Sequence, residues 1–122
     1  MIIYQLYIRS VGTFREIEDN IMYYRHLGVD AIWFNPFYPH GGKDGGYDIL
    51  NFTDVAEEFG TIDDFKSLLQ KAHNVGLKII IDMVLNHVSE QHIWFQDSIR
   101  KLNGRDDWFV WKNKSEITED WK

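Results

Sequence analysis

The chain has 122 residues, enough for one modest core, and its 44% apolar and 26% charged residues are those of an ordinary folded domain. Its net charge of −6, with acids and bases interspersed, offers no basic face for phosphates and argues against nucleic-acid binding. The absence of cysteine excludes disulfides and thiolate metal sites without fixing the compartment.

The opening Met1-Ile-Ile-Tyr-Gln-Leu-Tyr-Ile8 lacks the basic start and small-residue cleavage site of a secretory leader. No apolar run approaches the roughly 18–20 residues of a membrane span. The expectation is a soluble, cytoplasmic protein with no membrane partner, unless an export signal has been trimmed away. Ile2 to Ile8, rich in β-branched and aromatic residues, predicts a first strand. Thr13-Phe-Arg-Glu16 is a capping box, after which Phe14, Ile17, Ile21, Tyr24 and Leu27 recur at helical spacing until Gly28. Ala31 to Asn35 predicts a second strand, closed by Pro36. A strand, a helix and a strand in that order imply parallel pairing through a crossover.

A long irregular stretch runs from Pro36 to about Glu58 and contains Gly41-Gly-Lys-Asp-Gly-Gly-Tyr-Asp48. Loops of this length are functional or disordered, and Phe37, Tyr38, Tyr47 and Phe52 argue against disorder. Thr61 caps a helix reaching Asn74, with Phe65, Leu68, Leu69 and Ala72 on one face and Gly76 as its stop. Ile79 to Leu85 then reads as a third strand buried on both faces. Ile93 to Leu102 predicts a short helix ended by Asn103-Gly104. Beyond it, Trp108, Phe109, Trp111 and Trp121 lie among charges without clear periodicity, as at the start of another structural unit.

Asp82, in the middle of the third apolar run, is the sharpest chemical signal. A buried carboxylate is costly unless a cation or several donors meet it. Lys78 sits at the strand's other end, so an arginine from elsewhere is expected; the plainer alternative is an acid on a solvated strand face. Asn86 and His87 follow where the strand should end, and carboxyl ends of parallel strands are where ligands bind. Strict alternation puts His87 on the opposite face from Asp82 and Asn86, so it joins their pocket only if the backbone leaves strand geometry. Asn86 could equally end the strand and His87 merely cap a backbone group. Asp44 and Tyr47 lie in the Gly-rich loop, where an acid could grip hydroxyls and a ring could stack on a pyranose. That loop is also readable as a simple turn, and it lacks the Gly-Lys-Ser/Thr of a phosphate loop.

Together these segments resemble the α-amylase family of glycoside hydrolases (family 13), closest in motif style to oligosaccharide-acting α-glucosidases. Ile3-Tyr-Gln-Leu-Tyr-Ile-Arg-Ser10 is similar to the family's first strand and Leu27-Gly-Val-Asp-Ala-Ile-Trp-Phe-Asn-Pro36 to its second. Asp44-Gly-Gly-Tyr-Asp-Ile49 is similar to the loop that follows, and Asp82-Met-Val-Leu-Asn-His87 to the family's first conserved region. The resemblance runs in register over residues 1–100. It implies an α/β fold: the first three βα units of a TIM-type (β/α)8 barrel, incomplete, with residues 101–122 opening a small domain inserted after strand three. It also implies a retaining enzyme acting on α-glucosidic bonds of an α-glucan or oligosaccharide through two carboxyls about 5–5.5 Å apart. By matching position, His87 would bind the sugar in the −1 subsite, Tyr47 would stack under it and Asp44 would hold its 4-hydroxyl side. Asp82 would orient an arginine placed just before the nucleophile, and Asn86 would brace the strand end.

The family's nucleophile and acid/base follow strands four and five, beyond residue 122, so no catalytic residue is assigned. Asp44, Asp48 and Asp82 match positions with other roles. The implied fragment, read as truncated, should be inactive alone and leaves a sheet edge open to self-association. No cofactor is expected. Classical amylases use an asparagine at the Asn86 position for calcium, but the other ligands would lie in the inserted domain, so calcium stays open and no metal site is assigned. Two other readings stay open: a non-catalytic relative serving as a binding or partner-assembly module, and an unrelated doubly wound protein with a phosphate ligand.

Overall fold

The structure, a computed structural model, describes residues 1–113 and Ser115. Three parallel strands form one sheet in the order β1 (Ile3–Leu6), β2 (Ala31–Phe34), β3 (Lys78–Ile81). Between β1 and β2 come α1 (Ile8–Val11), α2 (Phe14–Asp19) and α3 (Ile21–His26). Between β2 and β3 lie the long loop, a single 3-10 turn (Glu57–Phe59) and α4 (Ile62–Asn74). The last described element is α5 (Ile93–Arg100).

The sequence signals act where they were read, with local differences. Thr13 caps α2 through a complete capping box with Glu16. The helix predicted from Phe14 to Leu27 is instead two helices, broken at Asn20. There the Asn20 amide Nδ2 donates to the Glu16 carbonyl at 2.8 Å, the local side-chain competition that bends helices. Thr61 and Asp64 make a second capping box on α4. The first strand stops at Leu6 rather than Ile8, because the Gly12 N–H turns back to the Ile8 carbonyl and closes α1. Gly28 and Gly76, both at φ 80, turn the chain from helix into the next strand.

The core lies on one face of the sheet. Leu6, Ile32 and Phe34 pack there against Ile17, Ile21, Leu68 and Ala72 of the helices, with Phe14 meeting Phe37 and Phe59 edge-on and Phe65 at a tilt. Phe14 has no exposed surface, and burying a ring of that size stabilises by about 2–3 kcal/mol. The register sets Gln5 beside Trp33 and Trp33 beside Ile80, which defines the opposite face.

One expectation is corrected. β3 is not a strand from Ile79 to Leu85 buried on both faces; it ends at Ile81, and Ile80 and Ile81 are 37% and 40% exposed. The Asp82 N–H makes the last rung, to the Phe34 carbonyl at 3.2 Å. β2 ends at Phe34, so the backbone beyond Asp82 has no strand to pair with. Among the described residues only one helix layer covers the sheet.

The helix expected over Ile93 to Leu102 ends at Arg100, stopped by Lys101 at φ 54 and turned further by Asn103 and Gly104. The aromatic tail returns onto this helix. Trp108 meets Trp94, and Phe109 and Trp111 meet Phe95, at ring separations of 5.1–5.6 Å. Buried Asp97 takes an ion pair from Arg105 and the Asn103 amide at 2.9 Å. Trp121 lies outside the described residues, as does most of the segment beyond Asn113.

Candidate functional site

The carboxyl ends of β2 and β3 converge on one polar cluster. Asp82 leaves β3 with its carboxylate half-buried. Trp33 on β2, whose register partner Ile80 lies two residues before Asp82 on the same face, donates its Nε1–H to one carboxylate oxygen at 3.1 Å. The Tyr47 hydroxyl donates to the other at 2.8 Å and itself accepts from the Asn35 amide at 2.8 Å. The Tyr38 hydroxyl donates to the Asp82 carbonyl at 2.8 Å. Burial, and then the bond to the Asp82 carboxylate, pushes the Tyr47 phenol above its ordinary value; burial and the same charge do so for Tyr38. Among the described residues, neutral donors meet Asp82, and the arginine expected there is not one of them.

The Gly-rich loop brings Tyr47 to this cluster. Gly42, Gly45 and Gly46 adopt φ of 82, 59 and 98, a region that side chains disfavour. The loop's knot is Asp48, which is 7% exposed. Its carboxylate accepts the N–H groups of Lys43 at 3.0 Å and Asp44 at 3.3 Å. Burial alone would raise the Asp48 carboxyl, but those backbone N–H groups and nearby His40 outweigh it and hold it below its usual value. Gly41 fits against the knot because a Cβ there would come within 2.6 Å of Asp48 and 2.7 Å of Ser89.

Asp44 projects from the loop tip, 69% exposed, and faces His87, whose Nε2 lies 3.9 Å from its carboxylate. The backbone has left strand geometry well before His87, which is the condition for the imidazole to share the pocket. Lys43 and Glu90 form an ion pair between the same two loops, and the Ser89 N–H donates to the Ile49 carbonyl at 2.9 Å. Asn86 is exposed, lies well beyond the strand end, and has its Nδ2 3.5 Å from the His87 Nδ1. Beside His87 opens a cavity of about 490 Å3, lined among others by Phe52, Val84, Asn86, Trp94 and Trp108. Among the described residues no group of three or more His, Asp or Glu side chains is disposed to hold a metal ion.

Five residues named from the sequence thus occupy one end of the sheet. Tyr47 and Asp82 are joined directly, Asp44 and His87 face each other, and Asn86 adjoins His87. Sequence reasoning missed Trp33 and Asn35, which complete the cluster. Trp33 shares a face with Asp82 through the parallel register, and Asn35 is an amide at a strand end, the signal that singled out Asn86. Asp48 is a structural acceptor inside the loop.

The alpha-amylase catalytic-domain model matches residues 7–121, and the chain belongs to that family. It is 48% identical over 106 residues to a trehalose synthase/amylase of Mycobacterium tuberculosis, covering 86% of the chain and 18% of the relative. It is 41% identical over 119 residues to an alpha-glucosidase of Apis mellifera, covering 91% and 21%. Among solved structures, a trehalulose synthase mutant in complex with the substrate sucrose superposes with a TM-score of 0.85 at 33% identity, covering 98% of the chain and 23% of that one. The trehalose-6-phosphate hydrolase of Bacillus licheniformis does so with 0.84 at 34%, covering 98% and 22%. The three parallel βα units are accordingly part of the family's (β/α)8 barrel. The chain spans about a fifth of the length of these relatives.

Proposed function

We propose that this segment supplies the substrate-gripping half of the −1 subsite in a retaining enzyme, a hydrolase or transglycosylase, acting on the α-glucosidic bonds of an oligosaccharide. The observation that carries the reading is that one loop pairs Asp44 with His87 and sets Tyr47 on Asp82, beyond the carboxyl ends of parallel strands, in a chain of this family. The Asp44 carboxylate and the His87 imidazole, 3.9 Å apart and both solvent-accessible, can take adjacent hydroxyls of one sugar. The Tyr47 ring, pinned through its hydroxyl to Asp82 and Asn35, offers a fixed apolar face under the pyranose. Asp82 and Asn86 support this arrangement. Residues 101–122 are proposed to begin a small domain inserted after β3, and the setting is proposed to be the cytoplasm.

The acids here do not form a catalytic pair. Asp48 is occupied by backbone N–H groups and Asp82 by Trp33 and Tyr47, so neither is free to attack an anomeric carbon or to protonate a leaving oxygen. This chain should therefore bind sugar weakly and turn none over. Isothermal titration with maltose, with phosphate as the control, tests the first statement. Release of aryl alcohol from an aryl α-glucoside tests the second. Equal affinity for phosphate and maltose would refute the sugar reading; clear turnover by residues 1–122 would refute the division of labour.

A further inference from the structure

Behind the Gly-rich loop lies a cluster that the proposed sugar contacts do not use. Arg9, on α1 just after β1, has its Nη2 2.6 Å from the His40 Nε2 and its Nη1 3.2 Å from Glu58. The same His40 Nε2 is 3.3 Å from Glu58. On the other side of the ring, the Gly42 N–H donates to the His40 Nδ1 at 3.0 Å. The His40 side chain is only 12% exposed. The Arg9 guanidinium lies over Phe59 at 5.7 Å and fills the space behind Gly46, where a Cβ would come within 3.2 Å of its Nη2.

We infer that His40 is a positioning residue whose neutral ring, carrying its proton on Nε2 toward Glu58 and accepting from Gly42 at Nδ1, ties the Gly-rich loop in place and lets it loosen when Nδ1 takes a proton. Donors converge on both ring nitrogens. A neutral imidazole has one lone pair to offer them; an imidazolium has none. Protonation therefore removes the acceptor for the Gly42 N–H and sets a second cation against Arg9. The charged groups that face the ring beside Arg9 are Glu58, which is 46% exposed, and Asp48, whose carboxylate is already engaged by two backbone N–H groups. Gly42 leads directly into Lys43 and Asp44, and Tyr47 bonds back to the Asp44 carbonyl at 3.0 Å. Releasing Gly42 thus shifts the segment that presents Asp44 and Tyr47. The consequence for sugar binding rests on the function proposed above; the tie itself does not.

The test is amide hydrogen exchange and proton NMR on the 122-residue chain from about pH 5 to 8, where imidazoles titrate. The His40 ring signal reports its own protonation. Corrected for intrinsic exchange, the Gly42 amide should exchange roughly three- to tenfold faster once His40 is protonated, the equivalent of one neutral hydrogen bond. Asp44 and Tyr47 amide shifts should move in the same pH range. In His40→Gln, which keeps an acceptor but cannot titrate there, the dependence should vanish. A Gly42 amide indifferent to His40 titration would overturn the inference, as would an unchanged dependence in His40→Gln. If that variant does not fold, the native titration decides alone. Adding methyl α-glucoside at neutral pH separates the two readings. Failure to shift Tyr47 and His87 sinks the sugar site, while the Gly42 response still judges the tie.

Discussion

Replacing Tyr47 by phenylalanine removes one oxygen and leaves the ring. That oxygen donates to Asp82 at 2.8 Å and accepts from Asn35 at 2.8 Å, so its loss leaves the carboxylate with Trp33 alone. A hydrogen bond to a charged group contributes about 1.5–3 kcal/mol. The cluster is half-buried and water can replace part of the loss, which sets the expectation near 2 kcal/mol. With a urea slope of about 1.5–2 kcal/mol/M, the unfolding midpoint of the chain should fall by about 1 M. Asp82→Asn should also destabilise, and the double variant should cost less than the sum of the two, with a coupling of about 1 kcal/mol or more. A Tyr47→Phe midpoint equal to the native one, or strict additivity with Asp82→Asn, would mean that the cluster holds nothing together.

Four further outcomes are expected. Thr61→Ala removes the cap of α4 and should lower stability by about 1 kcal/mol, read by circular dichroism melting. Its partner Asp64 is held down to about 2, by Arg15 first and then by Thr61. Since that folded value lies below the unfolded one, the contribution is complete above about pH 4, is lost as pH falls toward 2, and should shrink to the part held by Thr61 in Arg15→Met acid titrations. Gly46→Ala forces a side chain to φ 98 against Arg9 and the Pro36 carbonyl, and should cost about 1–3 kcal/mol in urea unfolding. Ile81, 40% exposed on the unpaired edge of β3, should promote association; sedimentation should be concentration-dependent in the native chain and weaker in Ile81→Lys.

Much of this molecule was legible in the sequence because its signals are local. The Thr13 capping box, the Thr61 cap and the glycine stops depend on residues within a turn or two of each other, and parallel pairing follows from the order strand, helix, strand along the chain. The family resemblance rests on the same contiguous motifs. The extent of β3 was not legible in that way. An apolar run shows that residues tend toward burial, but strand length is set by the neighbour, and β2 ends at Phe34. Likewise Asp82 announced that it needed partners without saying which.

What the chain's own order of residues determined is the set of elements and the collection of polar groups at one end of a parallel sheet. Only the tertiary structure decided that Trp33 and Tyr47 satisfy Asp82, that Asp48 knots the loop, and that His87 turns toward Asp44. The contacts of Asp82 and His87 join residues 35 to 49 positions apart, across a sheet register and loop path that no local pattern encodes.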